Sequence, residues 1–569
     1  MRLESFRLPV MLIACGLAGA AAAASVQGSR DIALFDTIIR HARVVDGTGN
    51  PWYRADVGLE KGRIAAIGDL SGARGRSEVD LHDLVLAPGF IDLMGTSSWE
   101  LLADPRAASK LEQGITLMVA GEGESVAPRN GKPFPEEQRR LDRYHVNADW
   151  RTLGEFFGRL ERNRIAINFG TFVGTGTLRE LVVGSVDRSA TPTELAQMKE
   201  LTAQAMRDGA FGVASALMYV PGRFASTEEL IALASVARSY GGIYATHQRS
   251  EGDAIDTSMD EVFAIAKQAD IPVHIFHLKT MYRENWGRMA VQVERIAAAR
   301  SAGIDVTASV YPYEAASANF GALMPPWAQE GGVEKMLQRL ADPADRARIR
   351  NELATPSSAW ENEYYGAGGA EGFLIVGVVN PELEGYVGSR LSQIAREQGK
   401  DPRDTLMDLV IADRGATSFV SFIMREGDVD LAVRQPWSAF CTDAEIGAVD
   451  GPIARTQAHP RAFGALPRVF GHYVRDQGAL SLEDAVRKAS SLPAQIIGLQ
   501  DRGRLVVGYW ADLVAFDPAL IAERATYRDP VQYPKGITDV WVNGELVVDH
   551  ESITEARPGK VIRGPGYRH

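Results

Sequence analysis

Cysteine is nearly absent from this sequence, because the 569 residues contain only Cys15 and Cys441. An intrachain disulfide is therefore excluded unless Cys15 survives processing of the amino terminus. Stability must come instead from the packing of a large core, for which a chain of this length has ample material.

Runs of basic residues are also missing. The net charge is −12, the pI is near 5.5, and no cluster of lysine and arginine stands out along the chain. A nucleic-acid partner is disfavoured, because such proteins need a basic surface. The remaining composition, 45% hydrophobic and 24% charged, is that of an ordinary globular protein.

The single long apolar run lies at the amino terminus. Arg2 and Arg7 precede LPVMLIACGLAGAAAAA, and SVQGS follows. This order predicts a secretory signal over residues 1–24, with cleavage near Ala24, and hence export across the inner membrane to the periplasm. The run is too short and too rich in alanine to be preferred as a membrane span. An alternative is a lipoprotein signal ending at LIAC, which would leave a lipid anchor on Cys15.

Short alternating strands are predicted at both ends of the chain. Residues 34–86 contain FDTIIRHARVVDG, ADVGLEKGRIAAIG and EVDLHDLVLAPG, separated by turn signals. Near the other end stand GRLVVGYWADLVAFDP and ITDVWVNGELVVD, the latter with an Asn-Gly hairpin signal. Neither group is stable alone, so we expect residues 25–87 and 499–569 to form one composite β-sandwich.

The centre of the chain alternates apolar strands with helices. Eight candidate strands are near-continuous apolar runs, as buried parallel strands require. They predict an α/β fold with a (β/α)₈ TIM barrel over residues 88–498. The connection between the seventh and eighth strands is much longer than a barrel needs, and we interpret residues 319–372 as an inserted lid or an ornamental insertion. The candidate strands are PGFIDL, ITLMVAGE, IAINFGTFV, AFGVASALM, IYATHQ, VHIFHLK, IDVTASVYPY and SAFCTD.

Two of these strands end in histidine. His247 and His277 lie about thirty residues apart, which is one strand-helix unit of a parallel barrel. Each alone is consistent with a hydrogen-bonded core histidine, but their matched placement favours a zinc site. Glu122 ends the second strand and completes a His₂Glu set, which leaves the fourth zinc position open for water.

Asp443 ends the eighth strand, in Cys441-Thr442-Asp443. A carboxylate there can accept a proton from the attacking water and deliver it to a leaving amine. The alternative is a helix N-cap, which Asp often provides where a strand gives way to a helix.

Together these stretches resemble the N-acyl-D-amino-acid deacylase (D-aminoacylase) branch of the amidohydrolase superfamily. The resemblance runs in family order over nearly the whole mature chain. It implies the barrel with a composite β-sandwich, a zinc-activated water and hydrolysis of an amide. The matching stretches are APGFID, ATHQRSEG, FHLK, SALMYVPGRFASTEEL, VYPYEA, CTD, HPRAFGALPRVFGHYVRD and LPAQIIGLQDRGRLVVGYWADLVAFD.

The sequence departs from the family at the metal site. Met94 and Thr96 stand where the first strand normally supplies two histidines, and Glu122 stands where the family has a cysteine. Neither Met94 nor Thr96 replaces an imidazole as a zinc ligand, so we expect one zinc per chain. Glu124 is a reserve ligand.

The resemblance also implies the substrate contacts. Arg461 is expected to clamp the substrate carboxylate and Lys279 to be a second cationic contact, whereas Tyr313 and Ser317 match positions that hold the polar end of the substrate. The alternatives are that Arg461 is a solvated surface residue and that Lys279 forms a salt bridge at the rim of the barrel.

The expected function is zinc-dependent hydrolysis of N-acyl amino acids, of D configuration by resemblance, releasing a carboxylic acid and a free amino acid. A small-molecule or small-peptide substrate is therefore the expected partner. Alternatives are a cyclic amidohydrolase of the hydantoinase or dihydroorotase kind, a D-specific dipeptidase, and a degenerate, non-catalytic binding protein of the envelope.

Overall fold

A computed structural model describes residues 34–130, 137–138, 141–142, 144–357, 359–454 and 458–568. The predicted signal segment, with Cys15, lies outside the described residues. Within the described ranges, no helix has the length and apolar character needed to cross a membrane.

The amino-terminal strands form one side of a large sheet. Strand β1 pairs antiparallel with β2 and parallel with β4 and β5. The turn between β2 and β3 uses Lys61 and Gly62, both with positive φ, as a tight hairpin requires. The strands are β1 (Leu34–Val44), β2 (Tyr53–Glu60), β3 (Arg63–Gly68), β4 (Arg74–Asp80) and β5 (Val85–Pro88).

The central strands follow, and all of their pairings are parallel. Nearly every residue in them is buried, which explains their continuous apolar sequences. They are β6 (Phe90–Asp92), β7 (Ile115–Ala120), β8 (Asn168–Thr171), β9 (Val173–Gly174), β10 (Gly212–Ala216), β11 (Ile243–His247), β12 (Val273–Ile275) and β13 (Val306–Val310).

Helices connect these strands. The helix Pro192–Asp208 begins with the capping box that its sequence predicts, in which Thr191 and Glu194 satisfy each other's backbone N–H groups. It ends at Gly209, whose φ of 114° suits a residue without a Cβ. The helices in this part are Glu100–Ala103, Ala108–Leu111, Leu153–Asn163, Thr175–Val182, Pro192–Asp208, Thr227–Ser239, Ile255–Gln268 and Met289–Ser301.

An insertion with its own core follows β13. It contains a three-stranded antiparallel sheet of β14 (Ala316–Asn319), β15 (Phe373–Gly377) and β16 (Ser418–Ser421), with β16 in the middle. Its core packs Phe320, Phe373 and Phe419 together. The predicted range 319–372 is therefore too short, because the central strand of this sheet is supplied after residue 372. Its helices are Pro326–Gln329, Val333–Ala341, Pro343–Leu353, Glu363–Gly366, Leu391–Gln398 and Pro402–Ala412.

Strand β17 (Ser438–Phe440) returns to the central strands and pairs parallel with β13. Its carboxyl end meets that of β6 through a parallel bridge between Gly95 and Ala444. The central strands thus form a six-stranded sheet, β17-β13-β12-β11-β10-β9, and a three-stranded sheet, β6-β7-β8. The helices here are Glu426–Val433, Arg461–Arg468, the π-helix Val469–Asp476, Leu482–Ala489 and Ser491–Ile496.

The carboxyl-terminal strands complete the first sheet. Strand β18 pairs antiparallel with β5, so both ends of the chain contribute to one nine-stranded sheet. Among the described residues the β5–β18 pairing therefore joins the two ends of the chain into one β unit, as their sequences predict. The strands are β18 (Leu513–Phe516), β19 (Ile537–Val542), β20 (Glu545–Asp549) and β21 (Ser552–Ile553).

Candidate active site

Glu122, His247 and His277 converge at the carboxyl ends of the central strands, a face called here the mouth. Glu122 Oε1 lies 3.0 Å from His247 Nδ1 and 3.2 Å from His277 Nε2. One donor atom of each residue lies within 4.8 Å of the other two. A carboxylate and two imidazoles this close match the donor set and spacing of a zinc site. The residues therefore fit a metal.

Local backbone geometry presents Glu122 to the histidines. Gly121 and Gly123 both have positive φ, at 99° and 62°, so the chain turns sharply on either side of Glu122. Glu124 lies beyond this turn and is outside the group of donor atoms that could hold a metal. Gly123 thus separates the reserve ligand from the predicted one.

Glu251 lies behind the two histidines and was missed from sequence. Its Oε1 is 3.1 Å from His277 Nδ1, its Oε2 is 3.5 Å from His247 Nε2, and both oxygens accept hydrogen bonds from Lys279 Nζ. A carboxylate on the far nitrogen of a metal-binding histidine fixes the ring and raises its basicity. The available signal was its position, four residues after His247 in ATHQRSEG.

The charges around the histidines favour a cation. Burial and the Lys279 ammonium oppose protonation of His277, but the carboxylates of Glu251, Asp443 and Glu122 outweigh them and raise its pKa to about 9. Burial alone would raise the pKa of Glu122, yet hydrogen bonds with His247 and His277 lower it below its usual range. The local field therefore stabilises positive charge between these three side chains.

Asp443 lies at the same mouth, and no helix begins there, so the N-cap reading is wrong. Its Oδ2 is 2.6 Å from Arg461 Nη1. Burial raises the pKa of Asp443, and the charge of Arg461 opposes that rise. A buried carboxylate with a raised pKa beside a metal set is suited to carrying a proton.

Arg461 remains available to a ligand despite this ion pair. The contact with Asp443 lacks hydrogen-bond alignment, and Arg461 Nε and Nη1 are buried donors without a hydrogen-bond partner among the described residues. The guanidinium also lies over the ring of Tyr311, 4.5 Å from its centroid. Buried donors without acceptors are costly, and a substrate carboxylate would satisfy them.

The other predicted substrate contacts are placed differently from one another. Lys279 lies in the site, but its ammonium is engaged with Glu251 and with His277 Nδ1 at 2.6 Å. Ser317 belongs to β14 of the insertion, and its hydroxyl donates to the carbonyl of Phe419. It is not in contact with the metal set.

Tyr313 lies one layer behind the site. Its ring contacts His459, 5.4 Å away, whereas Tyr311 is the tyrosine that contacts Arg461. Strand alternation would place both tyrosines on one face, but β13 ends at Val310 and the N–H of Tyr313 bonds back to the carbonyl of Tyr311. That tight turn ends the alternation and leaves Tyr311, rather than Tyr313, beside Arg461.

Met94 and Thr96 stand just after β6, at the positions where the family has histidines, and Met94 is buried. The space beside them is filled by Met118, whose side chain occupies the position that a Cβ on Gly95 would need.

Two imidazoles and two carboxylates thus meet at the ends of parallel strands. This arrangement is typical of one class of protein, the metal-dependent hydrolases. Comparisons with known proteins agree. Residues 427–548 match the model of the amidohydrolase family. The chain is 35% identical to a D-aminoacylase of Alcaligenes xylosoxydans xylosoxydans over 93% of this chain and 97% of the relative. The chain therefore belongs to the D-aminoacylase family of amidohydrolases, as its motifs predict.

Solved structures give the same result. A D-aminoacylase, described by one-metal activation and second-metal attenuation of a binuclear centre, has 32% identity and a TM-score of 0.77. An N-acyl-D-glutamate deacylase from Bordetella bronchiseptica, complexed with zinc and a phosphonate mimic of the tetrahedral intermediate, has 30% identity and a TM-score of 0.78. Each comparison covers 93% of this chain and 100% of the other.

Proposed function

We propose that this protein hydrolyses the amide bond of N-acyl D-amino acids, using one zinc ion held by Glu122, His247 and His277. The convergence of these three donors is the observation that carries the proposal. The relatives named above, a D-aminoacylase and a deacylase of N-acyl-D-glutamate, support the substrate class. Binding of a single zinc is supported by Met94 and Thr96, which leave the first strand without imidazoles.

The architecture that we propose for this chemistry is one closed (β/α)₈ barrel. Support comes from strands β8 and β9, which adjoin in sequence and pair with β7 and β10 respectively. Further support comes from the Gly95–Ala444 bridge between β6 and β17. With both links the two parallel sheets close on each other, and the mouth becomes the face where such barrels do chemistry.

The protein's own residues then have separate tasks. A zinc ion in this set supplies Lewis-acid polarisation of the acyl carbonyl and lowers the pKa of water. Arg461, with its free buried donors, holds the substrate carboxylate, and Lys279 adds positive charge. Asp443 accepts the proton of the attacking water and passes it to the amine nitrogen as the carbon–nitrogen bond breaks. Glu251 holds both imidazoles in orientation.

The test is a paired assay of the purified mature protein. Zinc is measured per chain, and amine release is measured on N-acyl D-amino acids, their L enantiomers and hydantoins. We expect about one zinc per chain and turnover of the D amides. Turnover of hydantoins alone would favour a cyclic amidohydrolase. Ligand binding without zinc or turnover would favour a binding protein.

A second candidate is cleavage of dipeptides with a carboxyl-terminal D residue. Glu361 and Glu363 of the insertion are buried, and no lysine or arginine pairs with either among the described residues. Glu363 lies near enough to Lys279 and Glu251 for their charges to act on its pKa. The ammonium of a dipeptide would supply the missing positive charge.

The Glu363→Gln variant separates the two substrates. We expect kcat/KM for a dipeptide to fall about tenfold or more, since a charged hydrogen bond is lost. The value for the matching N-acetyl amino acid should change little. Equal effects on both substrates would argue against an ammonium site.

For localisation, we propose export to the periplasm, on the strength of the residues 1–24 pattern. Whether the mature amino terminus is free or carries lipid on Cys15 is decided by mass spectrometry of the protein from the native envelope.

A further inference from the structure

A second buried charge network lies at the mouth, between β6 and β17, and is called here the seam: Asp92, Lys110 and Thr442. Lys110 extends from the short helix Ala108–Leu111, and its side chain is fully buried. Its ammonium donates to Asp92 Oδ2 at 3.0 Å, to the carbonyl of Ala444 at 2.9 Å and to the Thr442 hydroxyl. All three donors of the lysine are therefore used inside the protein.

Asp92 is satisfied just as completely. Its Oδ1 accepts from the backbone N–H groups of Met94 and Thr442, each at 3.1 Å, and its Oδ2 accepts from the Thr442 hydroxyl at 2.6 Å. The seam has no open position for a ligand. Its role must be sought in what it holds in place.

The seam holds the backbone on both sides of Asp443. Thr442 and Ala444 both bind Lys110, and the N–H of Asp443 itself donates to the carbonyl of Met94 at 3.1 Å. Asp443 has a φ of 47°, in the left-handed region that residues with a Cβ rarely adopt. Such a conformation persists only where the surroundings over-determine it. The residues flanking Asp443 provide those constraints.

We propose that Lys110 is a positioning residue for Asp443. Its ammonium, held by Asp92, fixes Thr442 and Ala444 and thereby keeps the left-handed turn that directs the Asp443 carboxylate to the mouth. The proposal rests on the proposed function, in which Asp443 carries the proton. The three donors of Lys110 go to Asp92, Thr442 and Ala444, and none goes to the metal set, so Lys110 acts only through Asp443.

The primary test is Lys110→Met, which keeps the length and removes the ammonium. Zinc content and KM should stay near those of the natural protein. The kcat for amine release should fall about 100-fold, because a misplacement of about 1 Å costs that much. In an Asp443→Asn background, Lys110→Met should cause no further loss. A merely structural role would lower the amount of folded protein, or affect both backgrounds equally.

Lys488 offers a matched control, since its side chain is also fully buried. Its ammonium bonds to the carbonyls of Val433 and Gln435, ahead of the amino end of β17. Lys488→Met therefore removes a buried lysine near the same strand at its other end. We expect a similar loss of thermal stability and an unchanged kcat. An equal fall in kcat for both variants would overturn the proposal.

If Lys110→Met does not fold, Thr442→Val is the deciding variant, because it removes the hydroxyl through which Lys110 holds the residue before Asp443. A natural kcat in the folded variant would overturn the proposal while leaving the function intact. If the natural protein releases no amine from any substrate, the function fails instead. In that case crystal structures of the variants test the positioning role by itself. A φ of Asp443 that stays positive without the Lys110 ammonium would refute this role, and a relaxed φ would support it.

Discussion

On the β11–β12 side of the mouth, His247 and His277 face Glu122 and Glu251, whereas on the β6–β17 side Lys110 faces Asp92 and Thr442. Both groups are buried and charged. The first keeps open capacity, since one donor atom each of Glu122, His247 and His277 lies within 4.8 Å of the other two, as around a shared cation. In the second, every donor of Lys110 is occupied.

This difference separates binding from support. Groups that must accept a metal have to keep lone pairs free and pointed at a shared position, even though this costs stability. Groups that only hold the backbone gain most when each hydrogen bond is made within the protein. The two sides of the mouth should therefore respond differently to mutation.

The largest effect is expected for His277→Ala. The variant should lose its zinc, and turnover should fall by more than about 10⁴-fold, because water then regains its high pKa. His274→Ala is the control, since His274 lies in β12, three residues before His277, is also buried, and among the described residues bonds only to Thr307. Zinc per folded chain and kcat/KM are measured for both. Zinc retained by His277→Ala at the natural level would contradict the assigned site.

Asp443→Asn should have the next largest effect. We expect kcat to fall about 10²- to 10⁴-fold, which is the usual contribution of a proton carrier, with zinc retained. Asp413→Asn tests a buried aspartate of the insertion, where the carboxylate accepts from the N–H groups of Val379 and Asn380. That control should change stability and leave kcat unaltered. Full turnover by Asp443→Asn would contradict the proposed mechanism, in which Asp443 carries the proton.

Glu251→Gln should act through the histidines and therefore more weakly. Loss of a carboxylate behind a metal-binding imidazole lowers metal affinity about 10- to 100-fold. Zinc dissociation is followed by competition with a chelator. Glu229→Gln is the matched control, because Glu229 is a buried carboxylate that pairs with Arg179 away from the mouth. An unchanged zinc affinity in Glu251→Gln would show that Glu251 serves only Lys279.

The sequence predicts much of this arrangement for a physical reason. Continuous apolar runs identify parallel strands, and residues at the ends of such strands converge, so the amino-acid pattern alone predicts that Glu122, His247 and Asp443 share one face. The Asn543-Gly544 hairpin and the Thr191 capping box are equally local and were predicted correctly.

Contacts made between distant segments could not be predicted in the same way. Lys110 reaches Thr442 and Ala444 across more than 300 residues of chain, and neither end carries a local pattern that indicates the other. Tyr311 and Tyr313 are separated by a turn that breaks strand alternation, which no propensity indicates. The end of the insertion was missed because its middle strand, β16, follows two further helices.

The smallest effect on turnover of N-acyl amino acids, and the clearest effect on stability, is expected for Glu363→Gln. Burial raises the pKa of Glu363 to about 7, and a hydrogen bond from Ser421 opposes this only in part. In the unfolded chain Glu363 releases its proton near the ordinary, lower pKa of a glutamate. The protonated side chain therefore contributes its full stability only below that unfolded-state pKa. The stability is lost as the pH rises towards 7, by about 3 kcal/mol in total. The Gln variant cannot ionise and lacks this loss.

The difference in unfolding free energy between Glu363→Gln and the natural protein should therefore change by about 3 kcal/mol between roughly pH 4.5 and pH 7.5. Denaturant titrations of the zinc-loaded proteins measure it. Glu228→Gln, on an exposed carboxylate at the start of the helix Thr227–Ser239, should give a pH-independent difference over that range. If Glu363→Gln also gave a constant difference, Glu363 would already be ionised and neutralised by a cation. The charge of Glu363 would then be compensated within the insertion as fully as the charges of the seam are.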